Sequence, residues 1–324
     1  MKKLFLLPTL ALGTLIACSD SSSSSTAPEV PETPEVSSSS EIPTQPIESS
    51  SSTIPDQPIV ESSSSVSIVD PNETYDQKKY SYYGAELSGV DQFKYGRFEA
   101  RMKMVSIPGS VSSMFLYYDD SYKKEDVPWN EIDIEVLGKS KTSWQSNIIT
   151  REGLPEIKKN TSSEKIHQTE YDATEDFHLY AMIWTPEYVA WEIDSVEVRR
   201  DTLGISRGTH ADSDQVAFLT ETETLRFNLW ASQSAGWVGK FTGAELAAGP
   251  QEQLIDYVRV YTYDEATKTF ALDWQDDFEG TTLSEHWATG NWQMERVNLN
   301  PDNVIVRDGM CVLQLSREAN PEAL

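Results

Sequence analysis

The chain has 324 residues, 38% of them hydrophobic, which is enough for one large domain or two ordinary ones. Acidic residues outnumber basic ones by 52 to 26, giving a net charge of -26 at pH 7. Such acidity argues against nucleic acid or an anionic membrane surface as a partner and is compatible with a neutral polymer. We expect a monomer.

The first 17 residues have the form of a secretory signal peptide. A basic pair precedes an apolar run of about a dozen residues, too short to span a membrane, and small residues lead to Cys18. The sequence "LIAC" at 15–18 resembles the bacterial lipoprotein box, in which the Cys is lipidated. We therefore predict an exported lipoprotein, anchored through Cys18 at the outer membrane or cell surface. The alternative is an exported protein whose Cys18 leaves with the signal.

Residues 18–76 are predicted to form a disordered linker. Runs of Ser alternate with spacers rich in Pro and Glu, a composition that cannot bury a core. Residues 19–76 contain 11 acids and no Lys or Arg, so 11 of the 26 net negative charges lie in this tether. Its charges repel one another and extend it.

Residues 77–324 are predicted to form one β-rich domain. Short alternating segments, such as "YGRFEARMKMV" at 95–105, "LRFNLWAS" at 225–232 and "YVRVYTY" at 257–263, are separated by turn residues, and helical periodicity is scarce. This pattern favours an all-β, two-sheet antiparallel sandwich or jelly roll. Cys311 alternates with apolar neighbours and is predicted to be buried, and the four His show no zinc-ligand spacing.

The segment "PWNEIDIEVLGK" at 128–139 places Glu131, Asp133 and Glu135 two residues apart. In a strand these carboxylates share one face while the intervening apolar residues enter the core. Neighbouring acids about 7 Å apart repel by roughly 2 kcal/mol at an effective dielectric near 20. A strand with only a structural role gains nothing from this repulsion. The alternative, a solvated acidic face, relies on screening by solvent.

Flanking strands carry aromatic and amide side chains at the same period. They are Phe115, Tyr117, Gln145, Asn147, Arg226, Asn228 and Trp230, with Trp129 beside the acids. Sugar rings stack on aromatic rings and their hydroxyls bond to amides and acids, so this set predicts a polysaccharide cleft. Paired acids in such a cleft indicate glycoside hydrolysis. The Cα atoms of Glu131 and Glu135 are about 13 Å apart on a straight strand, which leaves the stereochemistry open.

From about Gly84 to Arg317 the chain resembles glycoside hydrolase family 16, most closely the bacterial lichenases. The matching stretches include "YGRFEARMKM", "VSSMFLY", "EIDIEVLGK", "QSNIIT", "LRFNLWAS" and "LDWQDDF". The resemblance implies a concanavalin-like jelly roll that cleaves β-1,4 bonds of β-1,3-1,4-glucan by retaining double displacement. Glu131 would be the nucleophile, Glu135 the acid/base and Asp133 a helper, and the aromatic and amide residues above, with Trp292, would contact substrate.

Other readings stay open. The alternative enzymes are a xyloglucanase or a β-1,3-glucanase of the same family. The alternatives without catalysis are a glycan-binding lectin and a structural envelope lipoprotein. Asp119, Met294 and the long 204–224 loop depart from the expected pattern, so catalysis is a firmer expectation than specificity.

The resemblance has two further implications. Residues 272–316 follow the last sandwich strand, whereas in most family members such a segment comes first, so the chain is predicted to be circularly permuted. Structural calcium is also implied, with Asp256, Asp277 and the backbone of Gly309 as oxygen ligands. The alternative for the two acids is a solvated pair. No organic cofactor is expected.

Overall fold

The computed structural model describes residues 74–123, 127–151, 161–209 and 214–321. The signal peptide, Cys18 and nearly all of the linker lie outside these ranges. Within them no helix has the length and apolar character needed to cross a membrane.

The described residues form strands and a few single helical turns. The strands are β1 (Tyr80–Phe93), β2 (Gly96–Lys103), β3 (Ser110–Tyr117), β4 (Trp129–Leu137), β5 (Ser143–Arg151), β6 (Thr161–Ser162), β7 (Lys165–Gln168), β8 (His178–Trp184), β9 (Tyr188–Ile193), β10 (Val196–Thr202), β11 (Glu223–Ala231), β12 (Gln251–Asp264), β13 (Thr269–Asp276), β14 (Trp287–Thr289), β15 (Gln293–Met294), β16 (Val297–Leu299), β17 (Val304–Arg307) and β18 (Met310–Ala319). The helix α1 (Ala235–Val238) and 3₁₀ turns at Val216–Phe218, Ala244–Leu246 and Pro301–Asn303 complete them.

These strands make two curved layers. The layer called here the cleft sheet has the order β14-β1-β11-β3-β4-β5, with β6 and β7 on its edge. The outer sheet has the order β10-β9-β8-β2-β12, and β13 and β18 share the far edge of β12. The start of β1 pairs with the end of β18 and joins the layers. The predicted all-β, antiparallel sandwich is confirmed.

The core between the layers follows the period of two in β4. Ile132, Ile134 and Val136 have no exposed surface, as the alternation predicts. Trp191 on β9 of the outer sheet is also fully buried, and its Nε1 donates to the Asp133 carbonyl oxygen at 2.9 Å. Cys311 is buried as expected. One hydrogen bond therefore links the outer sheet directly to the strand that carries the acids.

The C-terminal segment is an integral part of the sandwich. β13 lies along β12, β14 pairs with β1, and β18 runs between β12 and the start of β1. The short link between β12 and β13, residues 265–268, is a tight turn in which Lys268 has a positive φ of 57°. This arrangement is compatible with the predicted circular permutation, which stays a prediction.

Tyr75 and Asp76, assigned from sequence to the linker, contact the domain. The Tyr75 hydroxyl donates to the Arg296 carbonyl oxygen at 2.9 Å, and the Tyr75 ring stacks on Tyr82 with centroids 4.8 Å apart. The Asp76 carbonyl oxygen accepts from the amides of Lys79 and Tyr80. A soluble fragment should therefore begin no later than residue 74.

Replacing Trp191 with Phe should lower the free energy of unfolding by about 2 to 4 kcal/mol, because the Asp133 carbonyl loses its donor and buried volume is lost. Trp274→Phe is the matched control, since the Trp274 Nε1 has no partner among the described residues. Urea unfolding of both variants measures the difference. Equal losses would show that the hydrogen bond between the sheets contributes nothing.

Candidate functional site

The three acids of the "EIDIE" segment lie together in the centre of the cleft sheet. We call Glu131, Asp133 and Glu135 the carboxylate row. Asp133 is buried, and the two Glu side chains on either side of it are partly buried. β3 and β5 flank the row, with Phe115 and Asn147 directly opposite Asp133. The strand alternation thus concentrates three ionisable groups on one face.

A cleft crosses the carboxylate row and has two halves. The first half-cleft, about 780 Å³, lies on the β3, β11 and β1 side, and the second, about 630 Å³, lies on the β5 and β6 side. Both volumes are in the range of ligand pockets. Glu131, Asp133, Glu135 and Trp230 line both halves. A chain bound along the cleft would therefore extend past the row in both directions.

Every cleft residue predicted from sequence lines one of these halves. The first half-cleft contains Phe115, Tyr117, Trp129, Arg226, Asn228, Trp230 and Trp292, and the second contains Gln145, Asn147 and again Trp230. Met294, which departs from the family pattern, lies beside Trp292 in the first half.

Several lining residues were missed by the sequence analysis. They are Glu86, Ser113, Tyr122, Ile149, Thr161, Ser162, Glu164 and Trp237. Glu86 and Ser113 alternate with core residues on β1 and β3. This alternation could have indicated that they face the cleft. Tyr122, Glu164 and Trp237 lie outside the strands, where no period indicates which side chains face a cleft.

Glu131 is held by two hydrogen bonds within its own strand. The Trp129 Nε1 donates to Glu131 Oε2 at 2.7 Å, and the protonated Asp133 carboxyl donates to Glu131 as well. Burial raises the pKa of Glu131 to about 7, and both hydrogen bonds oppose this rise because they stabilise the charged form. Glu131 is thus a carboxylate above neutral pH.

Glu135 has a partner on the adjacent strand. The Gln145 Nε2 donates to Glu135 Oε2 at 2.7 Å, and the Trp237 Nε1 donates to Gln145 Oε1 at 3.4 Å. Burial, and then the negative charge of Glu131, raise the pKa of Glu135 to about 8, while the Gln145 hydrogen bond lowers it. Glu135 therefore keeps its proton at a pH where Glu131 has lost its own.

Asp133 is the most strongly perturbed member of the row. Burial first, and then the charges of Glu131 and Glu135, raise its pKa well above the ordinary value. A neutral Asp133 separates the two Glu side chains and removes one charge from the repulsion expected for three ionised acids. A carboxylate and a protonated carboxyl on one strand face can serve as nucleophile and general acid.

Arg226 lines the first half-cleft, but its guanidinium is engaged by the protein. Nη1 donates to Glu86 Oε1 at 2.9 Å, Nη2 to Asp119 Oδ1 at 2.8 Å, and Nε to Thr224 Oγ1 at 3.0 Å. Arg226 thus organises the wall, and its charge lowers the pKa of Glu131, while a direct sugar contact through its remaining N–H groups stays a prediction. Asp119, unexpected from the family pattern, is one of the groups it holds.

Two amides present donors to the cleft. The Asn228 Oδ1 accepts from the Ser113 hydroxyl at 2.6 Å, and the Asn147 Oδ1 accepts from the Ser163 amide at 3.0 Å. Their oxygens are thereby fixed, so each NH₂ group points away from these partners; the Asn228 NH₂ also donates to Glu86, which leaves one of its two hydrogens for a ligand.

The three predicted calcium positions lie at one corner of the outer sheet. Ile255 pairs with Cys311 and Val258 with Asp276, so the register brings Asp256, Asp277 and Gly309 close together. The Asp256 Oδ2, however, accepts from the Arg101 Nη1 at 2.7 Å. The guanidinium thus competes for one of the two Asp256 carboxyl oxygens, and calcium at these positions stays a prediction. Across the described ranges no cluster of three or more His, Cys, Asp or Glu could hold a metal.

Glu223 is a further buried acid near the carboxylate row. Its side chain has no exposed surface, and neither carboxyl oxygen meets a hydrogen-bond partner among the described residues. Burial raises its pKa well above the ordinary value, Lys94 opposes the rise, and Glu131 adds to it. No sequence pattern indicates this residue beyond its place at the start of β11.

Comparison with known proteins identifies the family. The family model for glycosyl hydrolases family 16 matches residues 55–244. The chain belongs to glycosyl hydrolases family 16. The predicted resemblance is confirmed at this level.

Characterised relatives of this family 16 chain carry related names. A beta-glucanase of Fibrobacter succinogenes is 44% identical over 243 residues, covering 73% of this chain and 64% of the relative. A beta-glucanase of Acetivibrio thermocellus is 31% identical over 183 residues, covering 56% and 47%. The chain thus spans less than two thirds of the length of either relative.

Among solved structures, a lichenase derived from a mouse hindgut metagenome aligns with 24% identity and a TM-score of 0.37, over 53% of this chain and 89% of that chain. A beta-glucanase of Bacillus licheniformis aligns with 22% identity and a TM-score of 0.38 over the same shares.

Glu223→Gln should stabilise the protein increasingly as pH rises. The raised pKa means that folding favours the protonated acid, so stability is lost above the ordinary carboxyl pKa, and a neutral Gln removes that loss. Urea unfolding at about pH 5 and about pH 8 should show a gain only at the higher pH. Glu245→Gln, at a side chain bonded to Thr242 outside the cleft, is the control. An equal effect at both pH values would contradict a protonated Glu223.

Proposed function

We propose that this chain is an endo-acting, retaining β-1,3-1,4-glucanase. The observation that carries the proposal is the carboxylate row at the centre of a two-sided cleft, where the Trp129 indole donates to Glu131 and the Gln145 amide donates to Glu135. Because the cleft continues on both sides of the row, the bond cleaved would be internal to the polymer.

The first step forms a glycosyl-enzyme ester. The Glu131 carboxylate attacks the anomeric carbon as the bond from that carbon to the leaving O4 breaks. Glu135 gives its proton to O4, and the sugar beyond the cleaved bond leaves. The hydrogen bonds from Trp129 and Asp133 hold Glu131 ionised and oriented for this attack.

The second step releases the glycosyl group with its original anomeric configuration. Glu135, now a carboxylate, takes a proton from water, whose oxygen attacks the anomeric carbon as the ester bond to Glu131 breaks. Glu131 leaves as a carboxylate and Glu135 is protonated again. Asp133 stays neutral throughout, so it adds no negative charge between the two Glu side chains.

Three features support a β-glucan substrate. The cleft combines stacking rings, Phe115, Tyr117 and Trp292, with the donor amides of Asn147 and Asn228. Two relatives are named beta-glucanase. The excess of acids favours an uncharged polymer over an anionic one.

The proposal includes attachment to a membrane through lipidated Cys18, with the Ser-rich linker as tether, and an outer-membrane or cell-surface location. Support comes from the sequence alone, since these residues lie outside the described ranges. Calcium at Asp256, Asp277 and Gly309 remains part of the proposal, with Asp256 Oδ1 as the oxygen that Arg101 does not engage. No step above depends on it.

The experiment that tests the function is reducing-sugar release from barley mixed-linkage glucan, xyloglucan, laminarin and carboxymethylcellulose by the fragment from residue 74 onward. Hydrolysis of mixed-linkage glucan alone is the expected result. Hydrolysis of another polymer instead would keep the mechanism and overturn the specificity. Binding without release of reducing ends would favour a lectin, and no affinity for any glucan a structural protein.

Glu131→Gln should lower kcat by at least about a thousandfold while the affinity for glucan is kept, because the amide cannot form the ester but fills the same space. Glu245→Gln is the control and should retain full turnover. Reducing-sugar assays and affinity electrophoresis give the two readouts. Substantial turnover by Glu131→Gln would mean that the nucleophile is another residue.

The pH dependence of kcat/KM should be bell-shaped. Activity should rise as Glu131 loses its proton near pH 7 and fall as Glu135 loses its proton near pH 8. Trp129→Phe removes a donor that lowers the pKa of Glu131, so the acid limb should move up by about one pH unit. Trp274→Phe should leave the profile unchanged. An unmoved acid limb in Trp129→Phe would exclude this role of the indole.

A further inference from the structure

One wall of the first half-cleft is a small hairpin from the C-terminal segment. β15 and β16 pair through Gln293 and Asn298, and the hairpin carries Trp292 and Met294 on the cleft. Trp292 is 45% exposed, so the core does not fix its position. Val297 and Leu299 anchor β16 in the core, so the contacts at the tip decide the placement of the part of the hairpin that carries Trp292.

The tip is tied down from two directions. Glu295 has a positive φ of 46°, and its Oε2 accepts from the Ser232 hydroxyl at 2.6 Å and from the Gln233 amide at 2.7 Å. On the other side, the next residue, Arg296, accepts from the Tyr75 hydroxyl at 2.9 Å. A non-Gly residue rarely adopts this backbone conformation, so specific contacts must hold it there.

Glu295 is hydrogen-bonded to a segment, residues 232–237, that is connected through further hydrogen bonds to Glu135, the acid/base candidate. Ser232 and Gln233 immediately follow β11 and precede α1, whose Trp237 lies in the second half-cleft. The Trp237 indole donates to Gln145 at 3.4 Å, and Gln145 donates to Glu135 at 2.7 Å. The Glu295 carboxylate, together with the bond from the Arg296 backbone amide to the Ala231 carbonyl oxygen at 3.2 Å, thus joins a wall of the first half-cleft to the segment that leads to the partner of Glu135 in the second.

We propose that Glu295 is a positioning residue that ties the β15–β16 hairpin to residues 232–237 and so couples the Trp292 wall to the hydrogen bond between Gln145 and Glu135. The inference rests on the proposed hydrolase function. Glu295 does not line either half-cleft, so its effect on the reaction passes through Trp292 and Trp237. Only the oxygen acceptor is required of it, because both contacts are made by Oε2.

The test compares Glu295→Ala, Glu295→Gln and, as a matched surface carboxylate, Glu245→Ala. Glu295→Ala should lower kcat/KM on mixed-linkage glucan by about tenfold, with KM raised through Trp292 and kcat lowered through Glu135. It should also move the alkaline limb of the pH profile upward, because a looser Gln145 no longer lowers the pKa of Glu135. Glu295→Gln, which keeps the acceptor, should restore most of the activity.

Amide hydrogen exchange tests the tie made by Glu295 independently of any hydrolase activity. Glu295→Ala should speed amide exchange in peptides covering 232–238 and 291–298 and leave β2 unchanged. If the wild type hydrolyses no glucan, the proposed function fails, and exchange still decides whether the tie exists. Unchanged exchange, or a loss of activity with an unmoved pH profile and no rescue by Gln, would overturn the coupling.

Discussion

The site depends on the register of β4 between its two neighbours. The three aliphatic residues of β4 are buried in the core. Because side chains alternate along a strand, the carboxylate row must lie on the opposite face. A slip by one residue would bury three acids and expose three aliphatic side chains. The hydrogen bond from Trp191 to the Asp133 carbonyl fixes the same strand from the other sheet. The hydrophobic core thereby enforces the crowding of charge that gives the row its chemistry.

Three ionised carboxylates this close together would repel one another. The structure reduces this repulsion because its environment favours the protonated forms. Burial raises the pKa of all three acids in the row, and Asp133, between the two Glu residues, is raised well above its ordinary value. Arg226 supplies the nearby positive charge, but it is shared with Glu86 and Asp119. In the proposed mechanism Glu131 ionises before Glu135, and this difference separates the nucleophile from the acid.

The walls of the cleft come from segments that are far apart in the chain. Tyr75 and the Arg296 carbonyl are separated by 221 residues, and Glu295 and Ser232 by 63, yet these pairs hold the same hairpin tip. The two ends of the domain therefore meet beside the first half-cleft. Residues near the start of the domain and in the C-terminal segment thus act on the cleft indirectly, by holding the hairpin that carries Trp292 and Met294.

Much of the site could be predicted because strands have a period of two. That period indicated which side chains of the central strands, such as Phe115, Asn147 and Asn228, share a face with the acids, and they do line the cleft. It could not reveal Tyr122, Glu164 or Trp237, which lie in connections where side-chain direction follows from packing. Nor could it tell that Arg226 is engaged by Glu86 and Asp119, since those partners come from two other parts of the chain.

The all-β class, the family and the acid-bearing strand could be inferred from the sequence, because alternation and motif are local properties of the chain. The raised pKa values of the row, the engagement of Asp256 by Arg101 and the burial of Glu223 could not, because they arise from the packed fold. Each of these depends on which distant side chains lie within a few ångströms and on how much water they exclude. Those quantities exist only once both sheets have packed.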